Sequence, residues 1–158
     1  FDPHELRVLC RQLLRQRLRL QDYYLEMIRS GQLSRNVVEQ ERQQEMAFVV
    51  EARQLVLKHL AEEAFGVEEL ASKLNLSRSQ LHRKLQQMLG LSTSRFIRSI
   101  RVGEAQHKLH DPSLSISQIA YAVGFSDPDY FSKIFKDEYG LSPSTYRKKI
   151  FGEENGDV

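Results

Sequence analysis

The sequence is short of most features that mark a secreted, membrane-spanning or metal-built protein. One cysteine, Cys10, stands among 158 residues, which excludes an intramolecular disulfide and a cysteine-built zinc knuckle. A lone thiol suits a reducing compartment, so a cytoplasmic location is expected. No apolar run approaches the ~20 residues that a bilayer-crossing helix needs. The opening FDPHELRVLC lacks the layout of a secretory signal. Strict alternation of apolar and polar residues, the signature of half-buried strands, is missing throughout. No glycine loop is built to cradle phosphate. His107 and His110 lie three apart, but no acid or cysteine completes a ligand set. Neither an enzyme, a cofactor nor a metal site is expected. The chain begins at Phe1 rather than Met and reads as part of something longer.

The charge that is present is uneven. Residues 1–66 carry ten basic and ten acidic side chains, whereas 67–151 carry thirteen basic and eight acidic. The last seven residues add Glu153, Glu154 and Asp157, an acidic tail expected to be disordered. A surface for a polyanion therefore belongs to 67–151, although the same excess could be an ordinary solvated surface.

Helical signals fill the chain. Asp2-Pro3-His4-Glu5 has the cap, first-turn proline and early acid of a helix start. From there to about Arg29, Leu6, Leu9, Leu13, Leu20, Tyr24 and Met27 recur in steps that keep one stripe, with Cys10 and Arg17 on the same seam. Ser30-Gly31 interrupts it, and a second long helix is expected over 34–63, with Phe48, Val49, Ala52, Val56 and Leu60 on one face. Beyond Gly66 the texture changes to short helices at about 67–74, 78–89, 93–110, 115–122, 128–139 and 143–149. The fold class is all-α. Residues 1–63 form a helical linker or dimerisation region, 64–151 a separate domain and 152–158 the tail.

That second region repeats itself. Leu70-Ala71 and Leu74-Asn75-Leu76-Ser77 fall on Ile119-Ala120 and Val123-Gly124-Phe125-Ser126, 49 residues on. Gly90-Leu91-Ser92 and Phe96 fall on Gly140-Leu141-Ser142 and Tyr146, 50 residues on, so one extra residue enters near the later helix of the second unit. Each unit has helix-turn-helix mechanics. A small alanine permits a close crossing, and Asn75 or Gly124 takes a left-handed turn. Ser77 or Ser126 then caps the second helix. Leu81 and Leu85 in one unit, and Phe131, Ile134 and Phe135 in the other, mark the buried faces. The aromatics Phe125, Tyr130, Phe131, Phe135, Tyr139 and Tyr146 have the helical spacing of a core rather than of a base-stacking platform.

Residues 67–150 resemble the DNA-binding domain of AraC/XylS-type bacterial regulators. The segment ISQIAYAVGFSDPDYFSKIFKDEYGLSPSTYRK is close to that family's signature. The resemblance implies tandem helix-turn-helix units joined by a long helix, here about Thr93–His110, reading successive major-groove segments of double-stranded DNA. Gly103 departs from that helix's pattern and puts its straightness in doubt. The outer face of the first recognition helix holds Arg78, Ser79, His82, Arg83 and Gln86 as base-reading candidates, Arg83 foremost because its fork can pair with guanine. The matching positions of the second are Pro128, Asp129, Ser132, Lys133 and Lys136. Asp129 suits either a cytosine amino group or the helix dipole. Phosphate contacts are expected from Arg98, Arg101, Tyr146, Arg147 and Lys148, with helix-start amides near Thr93 and Ser144.

The opening resembles the end of a response-regulator receiver domain. Phe1-Asp2-Pro3-His4-Glu5-Leu6-Arg7, followed by Leu13-Leu14-Arg15-Gln16-Arg17, looks like that domain's last helix, which would place such an end at about 1–20. A plain helical linker is the other reading. The expected function is sequence-specific duplex DNA binding by a transcription regulator, as the output of a two-component response regulator or hybrid sensor. A sensor parent could be membrane-anchored. Expected partners are double-stranded DNA, a second copy through the N-terminal helices, an upstream receiver domain and RNA polymerase. The alternative is a helical interaction module that binds no DNA.

Overall fold

The computed structural model describes residues 7–13, 15 and 35–154. Residues 7–13 are helical, and seven further helices follow among the described residues. They are α1 (Arg35–Lys58), α2 (Val67–Lys73), α3 (Arg78–Leu89), α4 (Thr93–Lys108), α5 (Ile116–Ala122), α6 (Pro128–Tyr139) and α7 (Pro143–Glu154). The described residues hold no strand, as the missing alternation requires. Leu6, Arg17, Leu20, Tyr24 and Met27 of the N-terminal seam, and the end of the acidic tail, lie outside the described residues.

Local chemistry sets where the short helices begin and end. Ser77 Oγ accepts from the Gln80 amide at 3.1 Å, and Gln80 Oε1 accepts from the Ser77 amide at 2.9 Å. Ser115 and Gln118 repeat this reciprocal cap at the start of α5. Gly90 and Gly140 end α3 and α6 in the left-handed conformation, where a side chain would be strained.

The two turns are copies at the level of backbone hydrogen bonds. Leu76 N donates to Ala71 O at 2.9 Å and Phe125 N to Ala120 O at 2.9 Å. Asn75 has φ +56° and Gly124 φ +89°, the left-handed residue expected at each turn. The extra residue of the second unit is Ser126. It falls in the loop and displaces the cap, so Asp127, not the expected Ser126, accepts from the Asp129 amide at 2.9 Å.

Packing divides into two apolar clusters threaded by α4. The first gathers Leu70, Leu81, Leu85, Leu89, Leu91, Phe96, Ile97 and Ile100. The second gathers Val102, Ala105, Leu109, Ile119, Val123, Phe125, Phe131 and Phe135. Gly103 is buried within α4, which runs through it without interruption. Helix α1 joins the first cluster through Val49, Ala52 and Val56, on the face that the sequence pattern selects. Lys84 Nζ lies 4.4 Å from the Phe48 ring centre, and Arg53 faces Glu104 at 3.9 Å. Leu9 and Leu13 pack on the same core, while Cys10, expected in their seam, stands exposed.

Helix α1 stops at Lys58 rather than continuing to about 63. Its last residues unwind into turns whose carbonyls face inward, where Arg101 takes those of Glu62 and Phe65. Leu60 then reaches the second cluster.

The glycines at positive φ are not equivalent. A Cβ on Gly140 would meet nothing within 4 Å, whereas one on Gly124 would lie 2.4 Å from the Leu60 carbonyl oxygen and 2.9 Å from Arg101 Cζ. Left-handed strain alone costs about 1–2 kcal/mol. Gly140→Ala should therefore lose about that much stability, and Gly124→Ala clearly more, because backbone must move. Chemical denaturation of the two variants checks the ordering; equal losses would contradict it.

Candidate nucleic-acid interface

Recognition helices need one face for the core and one for a partner. On α3, Leu81, Leu85 and Leu89 are buried, and Arg78, Ser79, His82, Arg83 and Gln86 are all exposed. The five candidates share a surface whose opposite side anchors the helix. Arg78 Nη1 donates to Glu68 Oε1 at 3.2 Å, with both side chains mostly in water. Such a pair contributes at most about 1 kcal/mol, so it can open toward a phosphate or base.

On α6 the matching face is more mixed. Asp129, Lys133 and Lys136 are exposed, and Pro128 and Ser132 are half-buried. Asp127 and Asp129 stand at the helix start, where they complement the dipole and repel phosphate. Phe131 and Phe135 are buried beneath it, with Tyr139 and Tyr146 stacked or edge-on against Phe135. These aromatics are core.

Tyr130 is the exception and was not singled out from sequence. It is 44% exposed on α6, its ring tilts toward Phe125, and its hydroxyl accepts from Arg98 Nη1 at 3.0 Å. Aromatic spacing assigned Tyr130 to the core together with its neighbours. The turn of Asp127 and Pro128 instead leaves it beside the charged face.

The expected phosphate contacts divide sharply. Lys148 and Ser144 are exposed. Arg98 is half-buried on Tyr130. Three others have their polar ends occupied within the fold. Arg101 is 8% exposed, and its guanidinium donates to Gly124 O at 2.8 Å, Phe65 O at 2.7 Å and Glu62 O at 3.1 Å. Burial pushes its pKa below the usual guanidinium value, with Glu63 pulling it back. Arg147 donates to the carbonyls of Leu109, Asp111 and Leu114, closing the loop between α4 and α5. Tyr146 accepts from Gln106 Nε2 at 2.7 Å.

Thr93 is buried at the first turn of α4, where Ser92 Oγ already caps the Arg95 amide. Ser142 does the same for Thr145 near Ser144. Sequence position could not separate arginines that face solvent from arginines that satisfy carbonyls. Among the described residues, no three His, Cys, Asp or Glu side chains gather to hold a metal. No described helix is long and apolar enough to cross a membrane.

Known proteins share this arrangement. The model of a helix-turn-helix domain family matches residues 70–149. The Msm operon regulatory protein of Streptococcus mutans serotype c is 45% identical over 84 residues, 53% of this chain and 30% of that protein. Histidine kinase P4 of Formosa agariphila is 28% identical over 151 residues, 94% of this chain and 11% of that protein. Among solved structures, the C-terminal domain of AraT, a response regulator from Geobacillus stearothermophilus, is 37% identical with a TM-score of 0.59, over 64% of this chain and 84% of that one. The chain spans about a third or less of the length of the curated relatives it matches. With its duplicated turn, its capped second helices and the family match over both units, the chain belongs to the AraC-type helix-turn-helix family of DNA-binding transcription regulators.

Proposed function

We propose that this chain reads duplex DNA through α3 and α6, each laid in a major groove, as the output part of a two-component regulator. The single observation that carries the DNA reading is the exposed polar face of α3, set by three buried leucines on the opposite side. Arg83 is the leading base-reading residue, with Arg78, Ser79, His82 and Gln86 around it. Helix α6, with Asp129, Ser132, Lys133 and Lys136, reads more by shape. Lys148 and the helix start at Ser144 serve the phosphates, and Arg98 joins them with the donors that its bond to Tyr130 leaves over. The side chains of Arg101, Arg147 and Tyr146 are left out of this set because their polar groups are taken.

The two-component setting is supported by likeness to a histidine kinase over nearly the whole chain and to a response regulator's C-terminal domain. In that reading a receiver domain precedes Phe1, RNA polymerase is a further partner, and the DNA-reading part works in the cytoplasm.

Site selection from random duplexes, followed by titration at ~50 and ~200 mM salt, tests the reading. With six basic side chains of this surface near phosphates (Arg78, Arg83, Arg98, Lys133, Lys136 and Lys148), affinity should fall roughly a thousandfold between those salts. Arg83→Ala should cost about 1–3 kcal/mol on the selected site and relax one base position. Lys148→Ala should weaken all duplexes alike. No binding at either salt would overturn the reading, and an unchanged motif in Arg83→Ala would overturn the face assignment.

Pairing of two chains belongs to the same reading, because a two-fold dimer matches paired half-sites. Exposed Met46 and Val50, one turn apart on the outer face of α1, support it. Leu9 and Leu13, by contrast, are already covered within the chain. Light scattering should return twice 18.4 kDa; a monomer at high micromolar concentration would contradict pairing.

A further inference from the structure

The junction between the two apolar clusters is polar. On α4 the first cluster ends at Ile100 and the second begins at Val102, with Arg101 between them. Its guanidinium joins three segments: α4 itself, the turns after α1 through Glu62 O and Phe65 O, and the second unit's turn through Gly124 O. All three acceptors are backbone carbonyls, and Arg101 Nε is buried with no partner. Removing the guanidinium alone would leave three inward carbonyls without their donor and cost stability, and three directional bonds also supply a fixed geometry.

The second turn is shaped around this group. A Cβ at Gly124 would sit 2.9 Å from Arg101 Cζ and 3.0 Å from its Nη1. The corresponding Asn75 of the first unit tolerates a side chain at the same left-handed turn. Gly124 lies three residues before Asp127, the cap of α6, so its position decides where the second recognition helix starts. Arg98 on Tyr130 and Ser99 on Glu138, the latter at 2.6 Å, fasten the same pair of helices further along.

We propose that Arg101 is a positioning residue that fixes the orientation of the second recognition helix relative to the first and to the segment following α1. It rests on the DNA reading only for its consequence: with the clasp intact, the two helices meet a duplex as one pre-set pair. A lysine keeps the charge but carries its donors on one nitrogen, so it cannot reproduce the two-nitrogen fork that spans these carbonyls. Its loss of geometry then appears as lost cooperation between the two units rather than lost folding.

The test uses the whole chain in a Cys10→Ser background, with spin labels at Gln87→Cys on α3 and Asp137→Cys on α6, both exposed and neither among the candidate base readers. Double electron–electron resonance should give one narrow distance distribution with Arg101 present. Arg101→Lys and Arg101→Met should widen or shift it at unchanged circular dichroism, and it is read in whichever variant keeps its helical signal. On the selected duplex, scrambling the half-site under α6 should matter about tenfold less for the variant than for Arg101, because the linked second contact is lost. An unchanged distribution in a folded variant would overturn the proposal. Collapse of the helical signal in both would also overturn it, making Arg101 a support of the fold as a whole. Should the unaltered chain bind no duplex, the DNA reading fails while the distances still judge Arg101.

Discussion

Everything in this molecule hangs on α4 being buried at both of its ends in different company. Phe96, Ile97 and Ile100 belong to one core, and Val102, Ala105 and Leu109 to the other. Burying an apolar side chain of this size is worth about 1.5–3 kcal/mol. Neither unit can therefore leave α4 cheaply, and each uses it as a wall. The two recognition helices sit on one rod, and the distance and angle between them follow from that rod and the polar junction at its middle.

Each unit is too small to close a core alone. Helix α2 has seven residues, and its Leu70 and Ala71 are covered only because α3, α4 and α1 meet over them. In the second unit α7 and the Leu60 turn take the part that α1 plays in the first. A duplicated motif is thus completed by different neighbours. The segment before the repeat consequently touches both halves: through Val49, Ala52 and Val56 on one side, and through Leu60, Glu62 and Phe65 on the other. Movement of α1 would be felt at both recognition helices.

Much of this was legible in the sequence because it rests on local chemistry. Left-handed residues at Asn75 and Gly124, capping serines and terminal glycines are dictated by neighbours in the chain, and so are most helix starts from 67 onward, although the last helix runs to Glu154, past the expected end at 149 and into the expected tail. The outward face of α3 follows from Leu81 and Leu85 alone. What escaped were facts about long-range partners. Arg101 and Arg147 look like phosphate ligands until the carbonyls of Glu62, Phe65 and Gly124, or of Leu109, Asp111 and Leu114, are found beside them. The overlong reading of α1 failed for the same reason, since periodicity cannot see that a distant guanidinium needs those carbonyls. The shift of the cap from Ser126 to Asp127 was hidden by a single inserted residue.

In the proposed reading, the two capped helices on one buried rod meet DNA as a pair, on one face of the duplex. Hydroxyl-radical footprinting of the chain on its selected site measures this directly. For each bound chain, two protected patches on the same face, separated by about one helical turn of ~10 base pairs, are expected. A single patch, or two patches on opposite faces, would contradict the account.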